Sequence, residues 1–510
     1  MVAWQGAKAA IVSWVHFLPL ILGAAWLVDF WLGFPHNFTV SDPLQYARHA
    51  YWVASGTFLE NAAAPTVFGH RFGVFVPVAF AYALFGVTPL TTMLVPLLAG
   101  LSILFVVWWV LPKGAALPGV ICAVTCVPFL RGLIELWPDP IATAFMVISV
   151  LMLSQRLEAP ERRSMQLLRA GVGVSSWFAA MLAKETAYSL LLIWAGAAVL
   201  DVLRRRGSVL KWFHAPALLF GLLLTLGYLG ACAHFFGDPL ARLHGIDALA
   251  GRHFWSFHKP GELRIRLTSG ALSFFWREYG PLLLVALPGL FVLPSKLRIW
   301  SFYTVVAVLT YWFGSTTLHS YQPLPTIWRM SLPCAPGFFI TGGYFIYWLC
   351  SRIGSWLWAP LAPLLIVSTS ALSVLVMVPK VREQQGTWRT FPDLAAMDLV
   401  KSELRSHPNT RYLLISAEYR TMQYTLACLG FAPPANVTLA YAGELEPELL
   451  ARADKALLFI DPRHLPDRHP SYARQVLDLR LPALFREGNV RVFASDDVAG
   501  LASRLRARRK

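Results

Sequence analysis

The chain has 510 residues, 56% of them hydrophobic and 14% charged, with a mean hydropathy of +0.53 and a formal net charge of +16. A soluble protein carries roughly 25% charged residues, so an ordinary soluble globule is excluded. The apolar load and the lack of a short repeat also exclude disorder, coiled coil and collagen. The average conceals a break. Up to Pro379 there are 24 Lys and Arg against 13 Asp and Glu, whereas from Lys380 onward there are 20 against 15. Charge therefore rises from about 10% to about 27%, which predicts a membrane domain over 1–379 and a small water-soluble domain over 380–510.

In chain order, a span needs about 20 apolar residues. Runs fit at 11–33, 89–111, 115–134, 140–155, 170–187, 188–203, 212–236, 279–294, 299–316, 330–350 and 356–378. The run from Phe72 to Phe85 is short and carries Pro77, so it is read as noncrossing. With the N-terminus inside, this choice puts Lys113, the Arg156–Arg169 group, the Arg204–Lys211 group, Lys296, Arg298 and Arg352 on the cytoplasmic side. If the run crossed, every later basic cluster would move outside. The expectation is about eleven transmembrane helices with the C-terminal domain outside. The positive charge thus reports topology, and no nucleic-acid partner is called for.

After Pro379 the pattern changes. Leu394 to Leu404 and Tyr419 to Leu429 read as helices, and Tyr412 to Ile415, Ala456 to Ile460 and Val490 to Phe493 as strands. Nothing there resembles a phosphate loop or a metal motif. The six cysteines are scattered, with no disulfide framework and no zinc spacing.

Polar chemistry gathers at the outer ends of the spans, where ionisable groups are expensive to keep at membrane depth. Ser41-Asp42-Pro43 reads first as a helix start along the membrane surface, and second as a placed carboxylate. Glu135-Leu136-Trp137-Pro138-Asp139-Pro140 sets two acids around a proline-bounded turn, to bind a metal or orient a sugar, or equally to open a helix. Lys184-Glu185 lies in an apolar stretch; helical neighbours do not face each other, so at least one needs another partner. His70-Arg71 and Arg329 complete the candidates, with a snorkelling interface arginine as the plain reading. The 237–278 loop adds His244, Asp247, Arg252, His253, His258 and Lys259.

Taken in order, these pieces resemble the GT-C superfamily of integral-membrane glycosyltransferases, in the branch of the lipid A aminoarabinose transferases and protein O-mannosyltransferases. Members carry an acid in the first outer loop with a Tyr four residues on, as Asp42 and Tyr46 stand here. A basic residue precedes an apolar segment ending in Phe-Gly, matched by Arg71 and Phe85-Gly86. Asp139 opens a helix at the second outer loop, and Lys184-Glu185 matches an outward turn. Arg329 to Pro336 fits Arg-Tyr-x-Leu-Pro-x-x-Pro, with Met330 in place of Tyr.

The resemblance implies an α-helical polytopic GT-C-like membrane domain, with a small C-terminal α/β domain in the periplasm. The enzyme would sit in the inner (plasma) membrane. It would move a sugar from a polyprenyl-phosphate-linked donor to a lipid, glycan or protein acceptor at the outer face, with inversion. Asp42 would be the general base. Arg71, Lys184, Arg329 and His70 would hold the donor phosphate, and Tyr46, Glu135, Asp139 and Glu185 would bind substrate. No cofactor is demanded and no metal ligands are assigned. A divalent ion stays open, although Pro43, where the family often has a second acid, weakens the case for one. The rival class is a transporter or flippase, which would want midplane charges and paired repeats.

Overall fold

The computed structural model describes residues 2–34, 42–61, 67–157, 162–252, 262–315, 324–357, 368, 379, 394–416, 426–441, 452–460, 483–487, 490–495, 497 and 498. Most of the expected span at 356–378, the residues 253–261 with His253, His258 and Lys259, and most of the expected helix 419–429 lie outside them. The chain divides into two compact units: one of 1–35, 56–78 and 93–388, the other of 36–55, 79–92 and 389–510.

The first unit is helical. Among the described residues, Pro89–Val110, Pro138–Leu157, Glu185–Leu203 and Gly207–Phe236 are long and apolar enough to cross a membrane. Shorter apolar helices are His16–Leu32, Phe72–Phe85 and Lys113–Val124. One expected span is broken at a proline. The 115–134 run forms helices Lys113–Val124 and Val127–Gly132, because Pro128 has no N–H for the Val124 carbonyl and its ring would collide with that carbonyl. The expected spans 279–294 and 299–316 correspond to helices Leu282–Val292 and Ser295–Phe313, with a bend of 114° between them. Leu293, ahead of Pro294, is extended with ψ 134°, as a residue before proline prefers.

The buried interior includes Trp300, Tyr303, Phe213, Phe338 and Phe339, all under 2% exposed. Small residues bring its helices close. A side chain on Gly343 would fall 2.5 Å from Gly119 Cα, so the Ala335–Leu357 helix meets Lys113–Val124 backbone to backbone. The outward faces are apolar. Leu203, Leu218 and Phe291 are 72%, 75% and 87% exposed, a surface suited to lipid and not to water.

The second unit carries a five-stranded sheet, β1 (Tyr412–Ser416), β2 (Val437–Tyr441), β3 (Lys455–Ile460), β4 (Ala483–Glu487) and β5 (Val490–Ser495), in the order β2-β1-β3-β5-β4. Strand β1 lies parallel to β2 and β3, with Tyr412 opposite Val437 and Lys455. Strand β5 runs antiparallel to β3 and β4, with a register irregularity at Ala483/Phe485. Helix Leu394–Ser406 packs on β4 and β5, and its Glu403 accepts from Tyr412 Oη (3.1 Å) and Lys455 Nζ (2.8 Å). In the same unit, helix Asp42–Ala54 buries Leu44, Tyr46 and Ala47, and Tyr51 stacks on Phe431.

Candidate active site

Six of the expected site residues meet in the first unit, with His70 beside them. The Phe72–Phe85 helix opens immediately after Arg71, and Gly73 lets it press on the end of the Arg163–Ala183 helix. A Cβ at Gly73 would lie 2.5 Å from the Ala179 carbonyl oxygen and 2.6 Å from the Ala183 nitrogen. Lys184 leaves that second helix in an extended conformation (φ −155°, ψ 143°), its N–H still donating to the Ala180 carbonyl at 2.8 Å. Glu185 then begins the turn Glu185–Ser189. The two adjacent side chains therefore diverge, and each finds a partner.

Lys184 Nζ pairs with Asp139 Oδ1, and both side chains are buried. Asp139 stands in the first turn of the Pro138–Ser154 helix, entered through Trp137 in β conformation with Pro138 at the first helical position. There the helix dipole favours an anion. Glu185 accepts from Arg71 Nη2 at 2.9 Å and Nε at 3.3 Å, and from Arg242 Nη2 at 2.9 Å. Arg242 belongs to the Ala241–Arg252 helix and is 3% exposed. Asp139 Oδ2 and Arg242 Nη1 have no hydrogen-bond partner among the described residues.

A second arm interlocks with the first. Arg329 lies 3.6 Å over the Trp137 ring, and Arg131 lies 4.6 Å over the ring of Trp328. Trp137 donates to Glu135, which also faces Arg131 at 3.8 Å. Burial pushes the Glu135 carboxyl up from its ordinary value, against the pull of Arg131, Trp137 and Arg329. Arg329 and Arg71 both act on Lys184 through space, so the two arms share one electrostatic field.

His70 is buried with its ring edge-on to Phe236 at 4.6 Å. Asp42 and Tyr46 stand on the Asp42–Ala54 helix of the second unit, Asp42 half-buried in its first turn and Tyr46 fully buried. In the 237–278 loop, Asp238 accepts from the Leu240 N–H at 2.9 Å and faces His244 Nδ1 at 2.6 Å, contacts that hold its carboxyl below the ordinary value.

Arg131 and Arg242 were not among the sequence candidates. A signal for Arg242 existed: Asp238-Pro239 repeats the helix-opening pair of Asp42-Pro43 and Asp139-Pro140, and Arg242 falls one turn later. Arg131 lies one turn before Glu135.

Together, Arg71, Arg131, Lys184, Arg242 and Arg329 face Glu135, Asp139 and Glu185: five cations against three carboxylates. Guanidinium and ammonium groups held in place by carboxylates in this way have the chemistry to bind an anionic ligand.

No protein-family model matches the sequence, and no curated protein matches it. Solved structures do. The chain is similar to ArnT from Cupriavidus metallidurans bound to undecaprenyl phosphate, at 10% identity and a TM-score of 0.55, over 98% of this chain and 99% of that one. It is also similar to the Archaeoglobus fulgidus oligosaccharyltransferase in complex with Zn and sulfate, at 12% identity and a TM-score of 0.51, over 90% of this chain and 69% of that one. The same archaeal enzyme, AglB, in complex with an inhibitory peptide and a dolichol-phosphate, matches at 11% identity and a TM-score of 0.50, over 87% and 69%. At this identity the likeness is one of fold, and the chain shares the fold of these solved structures.

Proposed function

We propose that the protein is a membrane glycosyltransferase, moving a sugar from a polyprenyl-phosphate-linked donor to a lipid, glycan or protein acceptor at the outer face of the inner membrane. The observation that carries this reading is the cluster of Arg71, Lys184, Arg242 and Arg329, held by carboxylates and by the Trp137 ring, in a fold similar to that of ArnT. In the reaction, the acceptor hydroxyl attacks the anomeric carbon from the face opposite the phosphate, and the anomeric C–O bond breaks with inversion. The electron pair leaves on the lipid phosphate, and the hydroxyl proton passes to a carboxylate, for which we assign Asp42.

Charge grows on the departing phosphate, and fixed cations stabilise it most where water is excluded. Arg71 and Arg329 are the primary ligands in this reading, with Lys184 behind them and His70 at the edge. Glu135, Asp139 and Glu185 hold the cations apart, and Asp139 Oδ2 offers an acceptor for a sugar hydroxyl. Tyr46 is assigned to substrate binding. The proposal includes eleven spans, a cytoplasmic N-terminus and an extracytoplasmic domain from residue 380.

The test compares envelope lipids, glycans and proteins by mass spectrometry in cells with the gene, without it, and with Asp42→Asn. Asparagine preserves the helix start and removes the base. A sugar modification that disappears on deletion and with a well-expressed Asp42→Asn variant supports the reading. Unchanged transfer in the variant returns Asp42 to a structural role. A lipid-linked substrate that accumulates while no modification is lost favours transport instead.

A further inference from the structure

The Pro138–Ser154, Arg163–Ala183 and Glu185–Leu203 segments each have one end at the cluster described above. At 1.5 Å per residue their other ends lie about 25–30 Å away, roughly the thickness of a bilayer's hydrocarbon core. At that far end the structure places a second charged assembly, and its construction differs from the first.

Its keystone is Asp201, fully buried. Asp201 accepts from Arg156 Nε (2.6 Å) and Arg206 Nη1 (3.0 Å) and contacts His214 Nε2 (3.0 Å). Around this anchor stand cations with no need to be there for packing: Arg163, Arg204, Arg205 and Lys211 are all exposed. The turn that carries two of them is strained. Arg205 donates its N–H to the Val202 carbonyl and Arg206 to that of Asp201, the hydrogen bonds of a helix terminator whose left-handed position usually holds glycine. Here Arg205 occupies it, at φ 53°. A charged side chain is kept where glycine would be easier.

The chain then makes a π-helical turn, Leu210–His214, of the kind that re-aims side chains at functional sites. It sets the Trp212 ring between Arg163, at 4.7 Å, and Lys211, at 5.2 Å. Immediately beside the cations the helix surfaces are apolar and open: Leu203 is 72% and Leu218 75% exposed.

Cations, an interfacial tryptophan and bare aliphatic surface in one place match the chemistry of a single ligand, an anionic phospholipid. Its headgroup phosphate would sit among the basic side chains and its acyl chains along the leucines. We infer that this collar is an anionic-phospholipid site on the membrane face opposite the Arg71–Glu185 cluster. A soluble polyanion would use the cations and leave the leucines uncovered, so the apolar flank selects the lipid. The inference does not depend on the sugar-transfer reading, because it uses none of the same residues.

The experiment is lipid retention by the full-length protein. The chain is reconstituted in nanodiscs of phosphatidylcholine with a minor share of phosphatidylglycerol, extracted, and weighed by native mass spectrometry. The wild type should retain phosphatidylglycerol well above its share of the nanodisc. The triple variant Arg163→Gln, Arg204→Gln, Lys211→Gln leaves the Asp201 bonds intact, and should lose that enrichment by roughly tenfold or more. A control variant, Arg264→Gln with Arg277→Gln, removes exposed cations elsewhere and should keep it. Equal retention of the two lipids by the wild type overturns the inference. So does equal loss in the control, which would mean diffuse surface charge, or complete competition by glycerol phosphate, which would mean a free-anion site.

Discussion

Arg71 and Glu185 form an ion pair at 2.9 Å across 114 residues of chain, and this bond ties the start of one helix to the turn that ends another. Arg242 joins from a third element, so one carboxylate holds two guanidinium groups in register.

Removing that carboxylate leaves buried Arg242 and part-buried Arg71 facing each other. Glu185→Gln is expected to destabilise the protein by about 3 kcal/mol, a typical loss when one partner of a buried pair is deleted. Thermal unfolding in detergent measures it. If the variant unfolds with the wild type, the pair is only a surface contact.

The Lys184–Asp139 pair is more deeply buried. Lys184→Met alone strands a carboxylate and should cost about 3–5 kcal/mol, and Asp139→Asn alone strands an ammonium group. The double variant should recover most of the stability while sugar transfer stays lost. This double-mutant cycle separates folding from function. Full additivity of the two losses would show that the residues do not interact.

Gly73 controls the approach on which Arg71 depends. Gly73→Ala places a methyl group 2.5 Å from the Ala179 carbonyl oxygen, so the Phe72–Phe85 helix must move outward. Arg71 would withdraw from Glu185, lowering both stability and transfer. Gly171→Ala, where a Cβ meets nothing within 4 Å, serves as the harmless control. A Gly73→Ala protein as active and as stable as that control would refute the account.

In the second unit, Arg411 holds the Asp454 carboxyl at about 2, below its ordinary 3.8, through side-chain and backbone hydrogen bonds. Because the folded value is the lower one, the pair contributes stability above about pH 4 and loses it as pH falls from there toward 2. Hydrogen exchange at β1 and β3 should quicken over that window in the wild type. Asp454→Asn should quicken it at neutral pH and flatten the acid dependence. An acid profile identical in the two proteins would remove the pair from the sheet's stability.

The parts legible in the sequence were those with local causes. Tyr412 to Ile415 and Ala456 to Ile460 read as strands because short runs rich in β-branched and bulky apolar residues have few alternatives, and β1 and β3 lie there. Strand β4 (Ala483–Glu487) and strand β2 (Val437–Tyr441) escaped notice, since Ala483-Leu484-Phe485-Arg486-Glu487 has no clean alternation and its pairing with β5 is irregular. In the site, Lys184-Glu185 was conspicuous as a charged pair in an apolar run. That each would find a separate acid or base could not be read locally, because Asp139 is 45 residues away and Arg242 is 57. The broken span at 115–134 was legible in principle. Pro128 carries the information, but hydropathy averages over a proline without registering its missing N–H.

The strand order has a consequence for biosynthesis. Strand β5, last in sequence, lies inside the sheet between β3 and β4. While a ribosome is still translating the segment before Val490, β3 has one side unmet, and β4 has nothing to pair with. The sheet is therefore completed only once Val490–Ser495 has been translated, and until then β3 keeps an open edge available for misassembly.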